Sequence, residues 1–147
     1  MRNAESNFIC YCYRLDHINK NLIRAVQQSP ADLSPISNSQ LTEEEALQLA
    51  DELTNKLMEG ERPSSDQGSI QKMVAGLGDS RGKLRLTFAK SLGAVGPEAI
   101  PILCTALRTH ENVIVRRASA KTLNLIGSKA ALPYLLEAFL EDDDPVV

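Results

Sequence analysis

Apolar residues recur at helical spacing along two similar stretches of this 147-residue chain. The first stretch runs from Leu84 to Thr109 and the second from Val115 to Asp142. In each stretch the apolar side chains return every three or four residues, and a glycine interrupts the pattern near its middle. This spacing predicts two amphipathic helices joined by a tight turn, because it places the apolar residues on one side of each helix.

The two stretches are copies of one unit. Matched residues lie 31 positions apart before the turn and 32 positions apart after it, because the second copy has one extra residue in the turn. The matches include Arg85 with Arg116, Gly96 with Gly127, Pro101 with Pro133, and Leu107 with Phe139. A fixed period in this range is typical of helix pairs that stack side by side. The sequence therefore predicts an all-α fold, an α-solenoid of stacked antiparallel helix pairs.

The turns set the expected bounds of the helices. In the first copy we expect helices from Gly82 to Val95 and from Pro97 to about Arg108. In the second copy we expect them from Val113 to Ile126 and from Lys129 to Leu140. The glycine at each turn accepts the left-handed backbone that ends a helix. The proline in the first turn of each second helix costs little, because the N–H that it lacks has no helical partner there.

Residues 42–78 are predicted to form a third, degenerate repeat. Thr42 should cap its first helix through a capping box with Glu45, in which each side chain bonds the backbone N–H of the other residue. The apolar face of that helix is predicted to contain Ala46, Leu47, Ala50, Leu53 and Leu57. A polar loop then leads to a shorter helix, predicted from Ser69 to Leu77.

The prediction divides the chain into two regions. Residues 1–41 form an N-terminal helix, indicated by apolar spacing between residues 5 and 27, and a Pro/Ser-rich linker. Residues 42–147 form the repeat domain. Its parts are the degenerate repeat at 42–78, repeats at 79–111 and 112–142, and the start of a further repeat at 143–147.

The last five residues match the beginning of a repeat, since Val147 lies 32 positions after Val115. We therefore expect the chain to be a fragment of a longer solenoid or to lack a terminal cap. In either case the last helix should have a poorly covered side, because each repeat needs a neighbour to bury its apolar face. That side carries Leu132, Leu136 and Phe139.

Composition and charge exclude several classes of function. The chain has 16 basic and 19 acidic residues, a formal net charge of -3, whereas nucleic-acid-binding domains are usually basic. No apolar run approaches the roughly 20 residues that span a bilayer. Three cysteines without a disulfide framework favour a reducing compartment. We therefore expect a cytoplasmic protein that contacts neither nucleic acid nor the membrane interior.

The residues offer no catalytic or metal site of their own. On a helix Cys10 and Cys12 would point about 200° apart, and no second pair of ligands accompanies them. His17 and His110 stand alone in the sequence. Cys104 lies on the apolar face of its predicted helix, so we expect a small core residue there and not a nucleophile. No Ser/His/Asp arrangement and no Gly-rich phosphate loop is present.

Two arginines hold equivalent positions near the start of the first helix of each repeat. Arg85 follows the acidic turn residue Asp79, and Arg116 follows the polar turn residue Asn112. A guanidinium group at this point can bond turn carbonyls and an acidic turn residue, and so join one repeat to the next. We expect this structural role, with an anion-binding site as the alternative.

Exposed positions on the second helices should form a continuous ribbon along the inner side of the solenoid, a face that such proteins use for extended partners. The ribbon residues are predicted to be Glu98, Ile102, Thr105 and Arg108 in the first repeat, and Tyr134, Glu137 and Glu141 in the second. Exposed Ile102 and Tyr134 among charged residues would suit an interface with an apolar centre and a polar rim. The alternative is a solvated face with no partner.

Both repeats share a residue pattern that points to a known class. In the second repeat it comprises Val115 to Ala120, Leu123, Ile126, Gly127, Ala130, Pro133, Leu135, Leu136 and Leu140. In the first repeat it comprises Leu84, Arg85, Ala89, Leu92, Val95, Gly96, Ala99, Ile100, Pro101 and Leu103. The pattern resembles the HEAT-like repeats of the phycobilisome-lyase class, in its cyanobacterial branch. The resemblance covers residues 79–147 and implies a HEAT-like, armadillo-like helical fold.

The resemblance also implies a function. The class includes subunits of bilin lyases, which attach or remove open-chain tetrapyrroles on cysteines of phycobiliproteins, factors for phycobilisome turnover, and scaffolds without known chemistry. It implies a phycobilisome-associated protein that binds a phycobiliprotein, or a second repeat subunit, and assists bilin attachment, detachment or phycobilisome turnover. No resident cofactor is implied, and a bilin would be a transient ligand. Whether the chain is a lyase subunit stays open, and a general interaction scaffold is the alternative.

Overall fold

The computed structural model describes residues 41–147, and these residues form six α-helices and two short 3-10 turns. The helices are α1 (Glu43–Met58), α2 (Gln67–Gly76), α3 (Gly82–Val95), α4 (Ile100–Thr109), α5 (Val113–Ile126) and α6 (Leu132–Glu141). The helix predicted between residues 5 and 27, and the linker up to residue 40, lie outside the described residues.

The helices pack in two rows. Helices α1, α3 and α5 lie side by side in the first row, and α2, α4 and α6 lie side by side in the second. Helix α3 contacts both α1 and α2, and α5 contacts both α3 and α4. Each first-row helix therefore covers both helices of the preceding pair, which is how stacked hairpins bury apolar faces that none could bury alone.

The corners between paired helices are tight, as predicted. Helices α3 and α5 begin and end at the predicted residues. Gly96 and Gly127 follow them with φ angles of 81° and 68°, a region that glycine enters without steric cost. The second helices differ from the prediction, because a 3-10 turn precedes each one, at Gly96–Ala99 and at Lys129–Ala131. The regular α-helix therefore starts at Ile100 and at Leu132.

Side chains close the starts of the first two helices. The predicted capping box of α1 is confirmed, since the Thr42 N–H donates to Glu45 Oε2 at 2.9 Å and the Glu45 N–H donates to Thr42 Oγ1 at 3.3 Å. Helix α2 begins at Gln67, before the predicted Ser69, because the Asp66 carboxylate accepts the Ser69 N–H at 2.9 Å. Hydrogen bonds from the Ser64 hydroxyl and from Ser69 lower the pKa of Asp66 to about 2.

The core lies between the two rows. Its largest fully buried side chains are Phe88, Ile70, Met73, Leu77, Leu92, Leu103, Leu107 and Leu123. One predicted core residue is misplaced, because Leu47 is exposed while Leu49 packs against the core. Ala46, Ala50 and Leu53 form the buried stripe of α1 at steps of four and three, and Leu47 lies beside this stripe.

Gly76 on α2 lies directly against Phe88 on α3. A Cβ atom on Gly76 would lie 2.5 Å from the ring of Phe88, a distance that real side chains do not adopt. The absence of a side chain on α2 therefore makes room for the Phe88 ring on α3. This contact joins the α1–α2 pair to the α3–α4 pair.

Candidate partner-binding ribbon

Six of the seven predicted ribbon residues reach the surface. Glu98, Arg108 and Glu141 are exposed, and Thr105, Tyr134 and Glu137 are half-buried. Tyr134 also packs against the core, so its ring is anchored and only part of it faces outward. We call these six residues the ribbon.

Ile102 does not belong to the ribbon, because only 5% of its surface is exposed. The prediction was wrong because α4 is contacted by α2, α5 and α6, and these neighbours cover most of its circumference. Ile102 shares a buried face with Ala99 and Ala106, at steps of three and four residues. The exposed stripe of α4 is accordingly narrow, and the expected apolar centre of the ribbon is smaller than predicted.

An ion pair joins the two repeats within the ribbon. Arg108 Nη2 on α4 lies 3.2 Å from Glu137 Oε1 on α6. The other carboxylate oxygen of Glu137, Oε2, is buried and has no hydrogen-bond partner among the described residues. The Arg108 guanidinium is therefore the group that holds this carboxylate, and the pair brings predicted residues from successive second helices together.

The remaining ribbon residues of the first repeat are placed differently. The Thr105 hydroxyl donates to the Pro101 carbonyl at 3.0 Å, so its one donor is used within α4. Glu98 lies in the corner before α4, about 15 Å from Arg108 along the helix axis. Its carboxylate is 3.8 Å from Arg62, a loop residue. The structure therefore brings Arg108 and Glu137 together and leaves Glu98 at the opposite end of α4.

Arg62 and Leu140 contribute to this region and were not predicted. Arg62 donates to the Ala94 and Val95 carbonyls at 3.2 and 2.7 Å, which closes the C-terminal end of α3. Nothing in the sequence of its loop indicates this contact. Leu140 is exposed at the position equivalent to Arg108, and the 32-residue spacing would have identified it as an apolar neighbour of the ribbon.

The turns between repeats are closed in the same way each time. The side chains of Asp79, His110 and Asp142 accept the backbone N–H of the residue two positions later, at 2.8, 3.1 and 2.8 Å. Such side-chain turns are typical of aspartate and mimic a backbone turn. His110 takes the place of the aspartate at the middle turn, and burial lowers its pKa.

Both equivalent arginines bond the carbonyls of the preceding turn, as predicted, but only Arg116 also binds a carboxylate. Arg85 donates to the Asp79 and Ser80 carbonyls at 2.6 and 2.9 Å. Arg116 donates to the His110 and Glu111 carbonyls at 3.1 and 3.2 Å. It also binds the Asp142 carboxylate through two bonds of 2.8 and 3.1 Å. Arg116 thus connects the turn before α5 with the turn after α6. The Asp79 carboxylate pairs with Arg81 and not with Arg85.

We predict that Arg116→Met lowers the free energy of unfolding by about 1 kcal/mol more than Arg85→Met, because only Arg116 makes the paired bonds to a carboxylate. The Arg116 hydrogen bond lowers the pKa of Asp142 in the folded state. The pair therefore stabilises the fold above the ordinary Asp pKa of about 3.9, and its contribution is lost as the pH falls through the lowered pKa. Urea unfolding of both variants at pH 7 and at a series of lower pH values measures this difference, which should shrink as the pH falls. A difference that persists at low pH would contradict the assignment to Asp142.

Cys104 is a core residue, as predicted. It is buried, and burial raises the pKa of its thiol to about 12. The thiol is therefore protonated at neutral pH and unsuited to nucleophilic attack, which requires the thiolate. Among residues 41–147 no three His, Cys, Asp or Glu side chains are grouped so that they could hold a metal ion. Cys10, Cys12 and His17 lie outside the described residues.

The comparison with known families agrees with this architecture. The family described as HEAT repeats matches residues 70–147. The chain belongs to the HEAT-repeat family. The match begins within α2 and covers α3 to α6. It confirms the predicted α-solenoid class. No solved structure gives a significant match to the chain.

The chain is also similar to a curated protein with a named role. The "Bilin biosynthesis protein MpeU" of Synechococcus sp. (strain WH8020) is 68% identical over 91 residues, which are 62% of this chain and 31% of the relative. This finding confirms the predicted resemblance to phycobilisome-lyase-type HEAT-repeat proteins of cyanobacteria. The chain spans about a third of the length of that relative. None of the helices between residues 41 and 147 has the length and apolar character of a transmembrane segment.

Proposed function

We propose that this HEAT-repeat chain binds a phycobiliprotein through the ribbon and assists bilin attachment or detachment beside the phycobilisome, in the cytoplasm. The sequence identity to a bilin biosynthesis protein is the observation that carries this proposal, because it supports a role with bilins and with the phycobiliproteins that hold them. Turnover of phycobilisomes is a second role within the same proposal. The alternative is a general interaction scaffold, which the HEAT-repeat family alone would equally support.

The chemistry assigned to each partner follows from the residues. A covalent bilin bond needs a reactive thiol, and Cys104 is buried and protonated. Cys104 is the one cysteine among residues 41–147, so the described part of the chain offers no reactive thiol. In the proposal the reacting cysteine belongs to the phycobiliprotein, and this chain supplies a surface that holds and orients its client. A transient bilin ligand is compatible with that role, and a resident cofactor is not required.

The ribbon has features that suit a protein partner. Arg108 and Tyr134 belong to the residue types that most often dominate binding energy at protein interfaces. The Tyr134 ring is already packed against the core, so little side-chain freedom would be lost on binding. Arg108 is oriented by Glu137 at 3.2 Å, while its exposed side can still meet a carboxylate of the client.

The test is the affinity of the full chain for phycocyanin, measured by pull-down and by titration calorimetry. We expect Arg108→Ala with Tyr134→Ala to weaken binding by at least about 30-fold, the effect of losing one hot-spot residue. Leu86→Ala with Lys90→Ala is the matched control, since it removes one apolar and one basic exposed residue from α3, in the other row. Circular dichroism verifies that each variant keeps its helicity.

The outcomes separate the two candidate functions. Tyr134→Ala removes a half-buried ring, so the single change Arg108→Gln, at an exposed residue, serves as a second variant that leaves the core intact. Unchanged affinity in both variants would reject the ribbon as the binding surface. No binding of phycocyanin by the unmodified chain would favour the scaffold alternative. A shift of the visible absorption band when the chain is mixed with free bilin, or with bilin and client, would support the role in bilin attachment.

A further inference from the structure

Two helices of the first row carry exposed strips that are equal in length and opposite in charge. The strip on α1 contains Leu47, Asp51 and Met58, and we call it the acidic strip. Leu47 and Met58 are 43% and 81% exposed, and Asp51 is also exposed. At the helical pitch these three side chains point within about 40° of one another. Helix α1 therefore presents a narrow face with a carboxylate between two apolar side chains.

The strip on α5 contains Ile114, Lys121 and Leu125, and we call it the basic strip. Ile114 and Leu125 are 38% and 61% exposed, Lys121 is also exposed, and the three again point within about 40° of one another. On both helices the two apolar residues are 11 positions apart, which is about 16 Å along the axis. Because the lengths are equal, the strips can lie along each other with their apolar side chains opposed at both ends.

The charges of the helices reinforce this match. Helix α1 has five acidic residues and one basic residue, whereas α5 has three basic residues and no acidic one. Helix α3, beside α5, also has three basic residues and no acidic one. Among residues 41–147 neither Asp51 nor Lys121 belongs to an ion pair. Each strip therefore has a charged group that is available to a partner.

Leu125 is held in place although it is exposed. A Cβ atom on Gly93 of α3 would lie 3.0 Å from Leu125 Cδ2, so the Leu125 side chain rests on the backbone of α3. Lys90 is exposed on α3, one turn before Gly93, and adds a second positive charge beside the basic strip. An anchored apolar side chain loses little freedom when a partner covers it.

The two strips cannot meet within one copy, because α3 lies between α1 and α5 in the first row. We propose that α1 of one copy of the chain packs along α5 of a second copy, so that the acidic strip covers the basic strip. A nucleic acid or an anionic membrane fits this row less well, since the acidic α1 lies beside the basic helices. The inference does not rest on the proposed function, because the ribbon lies on the second-row helices.

Sedimentation equilibrium of the full chain at low ionic strength tests the proposal. We expect self-association with a dissociation constant on the order of 10 μM, as suits a small contact between two helices. Raising the salt concentration to about 0.5 M should weaken the association at least about fivefold, because salt screens exposed charges.

Charge reversal tests which helices meet. Asp51→Lys and Lys121→Asp should each weaken self-association at least about tenfold, because each change places like charges opposite one another. The two changes together in one chain reverse both strips and should restore the association to within about threefold of the unmodified chain. Lys129→Asp is the matched control, since Lys129 is an exposed lysine outside both strips. Circular dichroism verifies that each variant keeps its helicity.

The uncovered side of α6 is the competing surface. Leu132 and Phe139 there are 57% and 80% exposed, as predicted, and Leu136 is half-buried. Association that Phe139→Asp abolishes, and that charge reversal leaves unchanged, would assign the contact to α6 and overturn the proposal. A chain that stays monomeric at about 200 μM would also overturn it, and so would a double reversal that fails to restore association. Protection of α5 from hydrogen exchange that appears only when phycocyanin is added would assign the basic strip to that protein instead.

Discussion

We expect Phe88→Ala to lower the free energy of unfolding by about 3–5 kcal/mol, the usual loss when a buried aromatic ring is removed. Phe88 is fully buried on α3, and its ring fills the space that Gly76 leaves open on α2. Removing the ring would leave a cavity beside Gly76 in the core between the two rows, and the surrounding structure would relax only partly. Urea unfolding followed by circular dichroism measures the change.

Phe139→Ala is the matched control, because it makes the same substitution on an exposed side chain. We expect it to change the free energy of unfolding by less than about 0.5 kcal/mol, as is usual for surface positions. Equal losses for the two variants would mean that Phe88 does not anchor the contact between α2 and α3.

Gly76→Ala should destabilise the protein by about 1–3 kcal/mol, although alanine is the better helix former. The added Cβ would lie 2.5 Å from two carbon atoms of the Phe88 ring, so α2 and α3 must move apart or the ring must leave its position. Thermal and urea unfolding both measure the loss.

Gly68→Ala tests the same substitution elsewhere on α2. A Cβ on Gly68 would have only Asp66 Oδ2 within reach, at 3.4 Å, so we expect a change between zero and a gain of about 1 kcal/mol. Phe88→Leu combined with Gly76→Ala should cost less than the sum of the two single changes, because the smaller side chain relieves the clash. Additive losses would show that the two residues are not coupled.

Features that depend on neighbouring residues in the sequence were predictable. The bounds of α3 and α5, the glycine corners and the capping box of α1 all follow from residues within one helical turn of each other. The roles of Arg85 and Arg116 also followed, because a guanidinium group one turn into a helix reaches the carbonyls of the preceding loop.

Features that depend on packing between repeats were less predictable. Ile102 was expected to be exposed, and it is buried because three other helices surround α4. Leu47 was expected to be buried, and it is exposed because it lies beside the buried stripe of α1, and among residues 41–147 only α3 packs extensively on that helix. The helical periodicity of a sequence shows which residues share a face, but it does not show how many neighbours cover the helix.

The ribbon was predictable in part for the same reason. Its positions on the second helices follow from the repeat spacing, and the Arg108–Glu137 ion pair brings two of them together. The contact of Arg62 with the end of α3 spans 32 residues and depends on the path of a loop. No local pattern indicates such a contact.

In the proposed function, the second-row helices present the surface that holds a phycobiliprotein. Hydrogen–deuterium exchange of the full chain, with and without saturating phycocyanin, tests it most directly. We expect slower exchange in residues 100–109 and 132–141 and unchanged exchange in α1 and α3. Protection confined to the first-row helices, or no protection at saturating client, would contradict it.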